Sequence, residues 1–143
     1  MNVQNTDMQL VIDTNCLLVS IPRFSKTRWL YDGIKSGLFE IGITTEILEE
    51  YEEIIGGFYS PNLATNVVEL LPNLKNTLRV NLYYKWELII QDMDDNKFVD
   101  CAIACQADYV ITHDKHFNVL KKIPFPKVEV LKMNELKRIL FGD

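Results

Sequence analysis

The sequence lacks any long apolar run and any leader-like start. No stretch approaches the roughly 18 consecutive apolar residues of a membrane-spanning helix. The first nine residues, MNVQNTDMQ, have neither the basic start nor the apolar block of a secretory signal. We therefore expect a cytoplasmic protein with no membrane partner. With 143 residues, 48% of them hydrophobic, the chain fits a single domain, residues 1–143, that buries about two-thirds of its unfolded surface.

Cysteine is scarce, since only Cys16, Cys101 and Cys105 are present. Their odd number and apolar surroundings argue against a disulfide framework and favour small, reduced core residues. A zinc set that combines the last two cysteines with His113 and His116 is conceivable. However, a core role on an apolar helix is enough to account for both cysteines.

Several catalytic signatures are also missing. The chain has no phosphate-binding P-loop, no glycine-rich dinucleotide turn and no Gly-x-Ser-x-Gly elbow, which disfavours nucleotide-fuelled, hydride-transfer and acyl-transfer enzymes. Asp92, Asp94 and Asn96 match the first three ligands of a calcium loop. In that loop, however, Lys97 would stand where glycine is required and Ile103 where glutamate is required. The calcium loop is therefore rejected.

Positive charge is outnumbered but clustered. The net charge is -5 at pH 7, which as an average disfavours broad nucleic-acid affinity, because such binding depends on Lys and Arg neutralising phosphates. The clusters that could follow a nucleic-acid backbone are Arg23, Lys26 and Arg28 in RFSKTR, and then Lys115, Lys121 and Lys122. Each cluster is also consistent with an ordinary solvated surface.

Short apolar runs rich in β-branched residues alternate with helical patterns along the chain. The predicted strands are residues 8–13, 39–43, 79–84, 109–112 and 128–131. Helices are predicted after residues 14–15, over 27–36, from 44–45 to 56–57, and over 62–71, 98–106, 117–122 and 134–140. Strands separated by helices throughout predict an α/β fold with a parallel sheet between helices.

Four carboxylates fall at or near the predicted carboxyl edge of this sheet, where ligands bind in open α/β folds. Asp13 ends the first strand, and Glu46 lies in the first turn after the second strand. Asp114 follows the strand 109–112, and Asp100 lies near the start of the helix that leads into it. We expect these four side chains to converge.

Converging carboxylates need a cation. Asp100 is the sharpest case, because Ile103, Ala104 and Ala107 on its helix face are apolar or small. An oxygen-only ligand set without a Cys/His cage favours Mg²⁺ or Mn²⁺ over zinc. Such a site suits phosphodiester hydrolysis, because the metal lowers the pKa of a bound water and neutralises charge on the phosphate.

Four pieces of the chain carry a family resemblance: VIDTN (11–15), TTEILEEY (44–51), DDNKFVDCAIACQADYVITHD (94–114) and the KHF that follows. In this order they resemble the PIN-domain nucleases, particularly bacterial toxin components of toxin-antitoxin pairs. The resemblance covers nearly the whole chain, from Leu10 to about Leu131. It implies a single PIN-like domain with a five-stranded parallel sheet flanked by helices. It also implies an endoribonuclease that depends on Mg²⁺ or Mn²⁺, with RNA as substrate and a cognate antitoxin as partner, and it is compatible with a homodimer.

The resemblance also assigns roles to individual residues. It implies metal-binding acids at Asp13, Glu46, Asp100 and Asp114. It implies that Asn15 and Thr112 orient those acids and the attacking water. In support of them, Thr14 lies in the turn after the first strand, and we expect Asp95 and Asn96 to fix the start of the helix beneath the acids. Where many family members have another acid, this chain has His116, so we do not expect a second metal to be held firmly. The expected RNA contacts are Arg23, Lys26, Arg28 and Lys115.

Two other functions stay open at this point. A metal-dependent phosphatase acting on small phosphate esters would share the acids. Asp13 after an apolar strand also resembles the aspartyl nucleophile of some phosphatases, although Asn15 replaces their second acid. A catalytically silent protein-binding module would keep the fold but normally lose the acids, and all four are present.

Overall fold

A parallel sheet forms the centre of the computed structural model, which describes residues 6–142. Within that range the sheet has five strands in the order β3-β2-β1-β4-β5, and each neighbouring pair is parallel. The strands are β1 (Gln9–Ile12), β2 (Glu40–Ile43), β3 (Thr77–Arg79), β4 (Tyr109–Ile111) and β5 (Val130–Leu131). The predicted α/β fold, a five-stranded parallel sheet flanked by helices, is confirmed.

Helices connect the strands. The α-helices are α1 (Thr14–Ser20), α2 (Arg28–Ser36), α3 (Thr45–Phe58), α4 (Pro61–Leu70), α5 (Asn96–Cys105) and α6 (Met133–Phe141). Short 3₁₀ helices are Leu71–Asn73, Met93–Asp95 and Lys115–Lys122. α5 packs on β1, β2 and β4, and α1 packs against α2 and α3. None of these helices is both long and apolar enough to cross a membrane, as far as residues 6–142 show.

Short polar side chains set the helix starts at the carboxyl edge of the sheet. The Asp13 carboxylate caps α1, and the Thr44 hydroxyl caps α3 by accepting from the Ile47 N–H at 3.2 Å. The predicted start of α3 is therefore confirmed, but its predicted end at residues 56–57 is wrong. α3 continues to Phe58, because its packing against α4 outweighs the low helix propensity of two glycines.

The strand order reverses between β1 and β4. The chain runs from β1 out to β2 and β3 on one side, then returns to β4 and β5 on the other. Ligands in open α/β sheets bind beyond the carboxyl ends of the strands at such a point. Ile12 pairs in register with Ile111, and the Asp13 N–H donates to the Ile111 carbonyl at 2.9 Å. Asp13 and Thr112 therefore leave the sheet side by side.

The strand predicted for residues 79–84 is wrong. β3 is only three residues long, and the chain from 80 to 91 is irregular. Part of this segment is held by α5, since the Asn96 side chain accepts from the Ile89 N–H at 2.9 Å and donates to the Ile89 carbonyl at 2.8 Å. A side chain thus satisfies backbone groups that a neighbouring strand would otherwise satisfy.

A buried hydroxyl links α3 to the end of β1. The apolar core contains Phe39, Phe98 and Phe117 as its largest fully buried side chains. Within it, Tyr51 of α3 is 2% exposed and donates its hydroxyl to the Ile12 carbonyl. This bond fixes the helix, and with it the side chains on the same face, next to the residue that follows β1.

We predict that Tyr51→Phe lowers the free energy of unfolding by about 1–3 kcal/mol, because it removes the donor to a buried carbonyl without removing the ring. Denaturant unfolding measures the change. Tyr83→Phe is the matched control, since Tyr83 is 92% exposed, and it should leave the stability unchanged. Equal stability of Tyr51→Phe and wild type would show that the hydroxyl contributes nothing to the packing of α3.

Candidate functional site

Asp13 is the buried acid at the point where the strand order reverses. Its side chain is held from two sides, since one carboxylate oxygen accepts from the Thr14 N–H at 2.8 Å and the other from the Thr112 hydroxyl at 2.6 Å. Thr112 in turn accepts from the Asp114 N–H at 3.0 Å. Thr112 therefore connects the residues that follow β1 and β4, which is a positioning role.

The pKa of the Asp13 carboxyl is raised to about 6. Burial is the main cause, and the neighbouring carboxylates of Glu50 and Asp114 act in the same direction. The hydrogen bonds from Thr112 and Thr14 favour the ionised form and lower the pKa. The position of Asp13 is thus well fixed, while its negative charge is poorly compensated.

Asp114 and Asp95 face each other beside Asp13. Asp114 caps the 3₁₀ helix Lys115–Lys122 by accepting from the His116 N–H at 2.9 Å. Asp95 ends the 3₁₀ helix before α5 and is 9% exposed. Burial raises the pKa of Asp95 to about 8, and the adjacent Asp114, Asp92 and Asp13 carboxylates add to the rise. The sequence predicts Asp13 and Asp114 as metal ligands, whereas it predicts for Asp95 only that it fixes the start of the helix.

A compact group of donor atoms surrounds Asp95. Carboxylate oxygens of Asp92, Asp95 and Asp114 and a ring nitrogen of His116 lie within 4.8 Å of one another. We call these four residues the donor cluster. Asp95 Oδ2 and His116 Nδ1 are both buried, and neither has a hydrogen-bond partner within the described part of the chain. Buried polar atoms are rarely left without partners, so this pair is a candidate position for a ligand.

Glu50 of α3 approaches Asp13 from the opposite side. It accepts a hydrogen bond from the Thr14 hydroxyl and forms an ion pair with Lys97 of α5 at 2.8 Å. Lys97 also pairs with Asp94 at 2.9 Å. Sequence reasoning missed Glu50, although the signal was available. Glu46 and Glu50 lie four residues apart and share one helix face, and Glu50 lies about 6 Å farther along the helix axis.

Glu46 and Asp100 do not join these acids, and the predicted convergence of four carboxylates needs correction. Both line a cavity with Lys85 and Glu87 to which Asp13, Asp95 and Asp114 do not contribute, although Glu46 also lines a groove with Glu50. The Asp100 carboxylate accepts from the Trp86 N–H at 3.1 Å, so it faces the irregular segment 80–91. Burial raises the pKa of Asp100, and Glu46 and Glu87 add to the rise. Asp100 lies away from the other acids because of its position along α5. It comes five positions after Asp95, which corresponds to about 7.5 Å along a helix axis.

The other predicted site residues are two asparagines and a set of basic residues. Asn96 binds the backbone of residue 89 and not an acid, and Asn15 is exposed in the first turn of α1. Among the predicted RNA contacts, Arg28 is already bound within the protein, because it pairs with Asp32 at 2.9 Å and donates to the Ile21 carbonyl. Arg23 lies over the ring of Phe24, and Lys26 is exposed. These basic residues lie around α2 and not on the donor cluster.

Lys115 lies beside Asp114 and lines a cavity at the carboxyl edge together with Lys121 and Lys132. We call it the lysine cavity. None of the three lysines forms an ion pair with another residue of the 6–142 range. Positive charge is thus concentrated on the β5 side of the acids, in a protein whose net charge is -5.

The donors suit a hard or borderline divalent cation. Carboxylate oxygens dominate, as Mg²⁺ and Mn²⁺ prefer. The cysteines do not take part: Cys16 and Cys101 are buried in the apolar core, and no cysteine belongs to the donor cluster. The zinc set of two cysteines and two histidines is therefore not formed.

Solved structures of similar fold are known. VapBC2 from Rickettsia felis, bound to a DNA fragment from its promoter, matches with a TM-score of 0.57 and 16% identity over 87% of this chain and 98% of the matched chain. VapBC-1 from nontypeable Haemophilus influenzae matches with a TM-score of 0.57 and 16% identity over 89% of this chain and 99% of the matched chain. At this identity the likeness concerns the fold. No curated protein matches the chain.

The sequence match to a family model covers the site. The model describes the PIN domain and matches residues 9–116, a range that contains Asp13, Glu50, the whole donor cluster and Thr112. With a match that spans most of the chain and the fold described above, this protein belongs to the PIN domain family.

Proposed function

We propose that the chain is a single-domain, metal-dependent endoribonuclease that hydrolyses RNA phosphodiester bonds in the cytoplasm. The observation that carries the proposal is the group of acids at the reversal of strand order. There, Asp95 is 9% exposed and has a carboxylate oxygen without a hydrogen-bond partner in the described residues. An ionised carboxylate that close to two others is unfavourable unless a proton or a bound cation neutralises it, and a divalent cation neutralises more than one of them.

The proposed ligands of Mg²⁺ or Mn²⁺ are Asp13, Asp95 and Asp114, with Glu50 beside them. Glu50 and Asp95 replace Glu46 and Asp100 of the sequence-based assignment. When bound, the ion would lower the pKa of a water molecule and neutralise charge on the scissile phosphate. Its donors fit this task because they are carboxylates fixed on the ends of strands and helices.

The chain's own residues orient these ligands. The Thr112 hydroxyl and the Thr14 N–H fix both oxygens of Asp13. Lys97 holds Glu50 on one side and the Thr14 hydroxyl holds it on the other, so Glu50 faces Asp13. Such supporting bonds keep a catalytic constellation within the narrow tolerance that in-line attack requires.

The lysine cavity is the proposed contact for the RNA backbone. Lys115, Lys121 and Lys132 lie next to Asp114, so a strand whose scissile phosphate reaches the acids would pass them. Their unpaired charges offset the repulsion between RNA and an acidic protein. This replaces the cluster around α2 as the main predicted contact, although Arg23 and Lys26 stay exposed.

An antitoxin protein is the proposed partner. The motifs resemble toxin components of toxin-antitoxin pairs, and the solved structures of similar fold described above are of VapBC proteins. Binding of such a partner over the carboxyl edge of the sheet would block the route of RNA to the acids.

Cleavage of single-stranded RNA should require Mg²⁺ or Mn²⁺ and stop in excess chelator. Asp13→Asn, Asp95→Asn and Asp114→Asn should each lower turnover by roughly a hundredfold or more, because each removes a charged ligand. Matched pairs decide between the two assignments: Asp95→Asn should be far more damaging than Asp100→Asn, and Glu50→Gln more damaging than Glu46→Gln.

Gel analysis of a labelled RNA measures these rates. The opposite ranking within both pairs would restore the assignment made from sequence. RNA cleavage that persists in chelator would contradict the metal mechanism. Turnover of a chromogenic phosphate monoester without RNA cleavage would favour the phosphatase alternative.

Replacing Lys115, Lys121 and Lys132 together by Gln should weaken RNA binding. In a plot of log affinity against log salt, the slope should fall by about two, because about 0.7 counterions are released per single-strand phosphate contact. The control carries the same charge change at Lys35, Lys75 and Lys127, which precede β2, β3 and β5 and so lie at the opposite edge of the sheet. Equal losses in both triple variants would mean that only net charge matters.

The metal-free protein should lose stability as pH rises from about 4 to 8. Asp95 has a pKa near 8 in the folded state against an ordinary 3.8, so the folded state binds more protons across this window and its advantage shrinks as they leave. Asp95→Asn has nearly the same shape as the protonated Asp95 side chain and carries no charge at any pH. In the metal-free state its melting temperature should match wild type below about pH 4 and exceed it by an increasing amount up to about pH 8. Added Mn²⁺ should stabilise the variant less than wild type.

Asp94→Asn provides a control of opposite sign. Its hydrogen bond with Lys97 lowers the pKa of Asp94, so this carboxylate stabilises the fold above pH 4 and its loss should slightly lower the melting temperature. If both variants shifted in the same direction at pH 8, the Asp95 carboxylate would not be the strained group.

A further inference from the structure

His116 points its imidazole into the acids. Its Nδ1 lies 3.3 Å from Asp114 Oδ1, 3.6 Å from Asp95 Oδ2 and 3.7 Å from Asp92 Oδ2. Nδ1 is buried although the side chain as a whole is 42% exposed, so the far edge of the ring, with Nε2, reaches solvent. Water can therefore satisfy Nε2, and a cation bound among the acids would favour the tautomer that directs the lone pair of Nδ1 at it.

The backbone that carries the ring is fixed. The His116 backbone N–H is bound to Asp114, and the next residue, Phe117, is fully buried. Nδ1 nevertheless forms no hydrogen bond with any of the three carboxylates that surround it. Asp95 Oδ2 is left without a partner in the same place. Two unpartnered donor atoms of complementary ligand chemistry, held by rigid backbone, indicate a ligand that bonds to both.

We propose that His116 is an imidazole ligand in the metal centre, acting with Asp92, Asp95 and Asp114, and that this nitrogen makes the centre prefer Mn²⁺ to Mg²⁺. The proposal rests on the metal centre of the proposed function and names a ligand that Asp13 and its neighbours do not supply. Mg²⁺ takes oxygen ligands almost exclusively, whereas first-row transition ions bind imidazole well. A set of three carboxylates and one imidazole therefore discriminates between the two ions. It also gives a ligand role to His116, a residue from which the sequence predicted only that a second metal is not held firmly.

Metal binding measured without RNA tests this. Calorimetry should give a ratio of Mg²⁺ to Mn²⁺ dissociation constants that falls by roughly tenfold to a hundredfold in His116→Asp, because an oxygen replaces the nitrogen. Pulsed electron paramagnetic resonance of bound Mn²⁺ should detect ¹⁴N coupling in wild type and none in His116→Asp. His116→Gln, which adds no charge, should also lose the coupling, and circular dichroism checks that both variants fold.

His113→Asn is the matched control. His113 and His116 are the only histidines, but His113 accepts from the Met133 N–H at 3.3 Å and lies outside the donor cluster. This variant should keep both the ¹⁴N coupling and the ion preference. Wild-type Mn²⁺ without ¹⁴N coupling, or coupling that survives in His116→Gln, would overturn the proposal, as would an absence of Mn²⁺ binding. Coupling that depends on His116 in a protein that cleaves no RNA would support the ligand assignment while rejecting the ribonuclease.

Discussion

Mutual repulsion of carboxylates in a buried place is the constraint around which this site is arranged. Asp13, Asp95 and Asp114 come from three separate parts of the chain, and Asp13 and Asp95 are largely shielded from water. At an effective dielectric near 20, two such charges about 5 Å apart repel by roughly 3 kcal/mol. The fold tolerates this because β1, β4 and α5 pack together in the apolar core.

The sheet places these charges. A parallel sheet with its order reversed between β1 and β4 brings the carboxyl ends of two sequence-distant strands together. The Thr112 hydroxyl then ties Asp13 to the backbone of Asp114. On the far side, Lys97 neutralises Glu50 but reaches none of the three central acids through an ion pair in the 6–142 range. The protein thus supplies cations at the border of the acids and not at their centre.

Sequence reasoning located the sheet and half of the acids. Asp13 directly follows an apolar run and Asp114 comes three residues after one, and such a run fixes the end of a strand to within about a residue. Helical positions were harder. Glu46 and Glu50 share a face, as residues four apart must, so periodicity cannot tell which one lies level with β1.

The same uncertainty affected α5. Asp100 has apolar neighbours and Asp95 lies at a predicted helix start, so the sequence favours Asp100 as the ligand. In the structure the Asp100 carboxylate accepts a hydrogen bond from the backbone of the segment 80–91. No local pattern predicts the irregular path of this segment. That segment has strand-like composition but is held by side chains of α5 instead of a strand. Tertiary contacts, not propensity, decided its conformation.

The closeness of Asp95 to Asp114 has a consequence for ion exchange in a cell. With a pKa near 8, Asp95 holds a proton at neutral pH, so an incoming cation has to displace it before both carboxylates can bind. In the proposed metal centre, ion capture and proton release would be one event, and the apparent affinity for the cation would fall by about tenfold for each unit of pH below 8. A fall in pH alone would thus weaken binding in the proposed metal centre, with no change in metal supply and no movement of the fold.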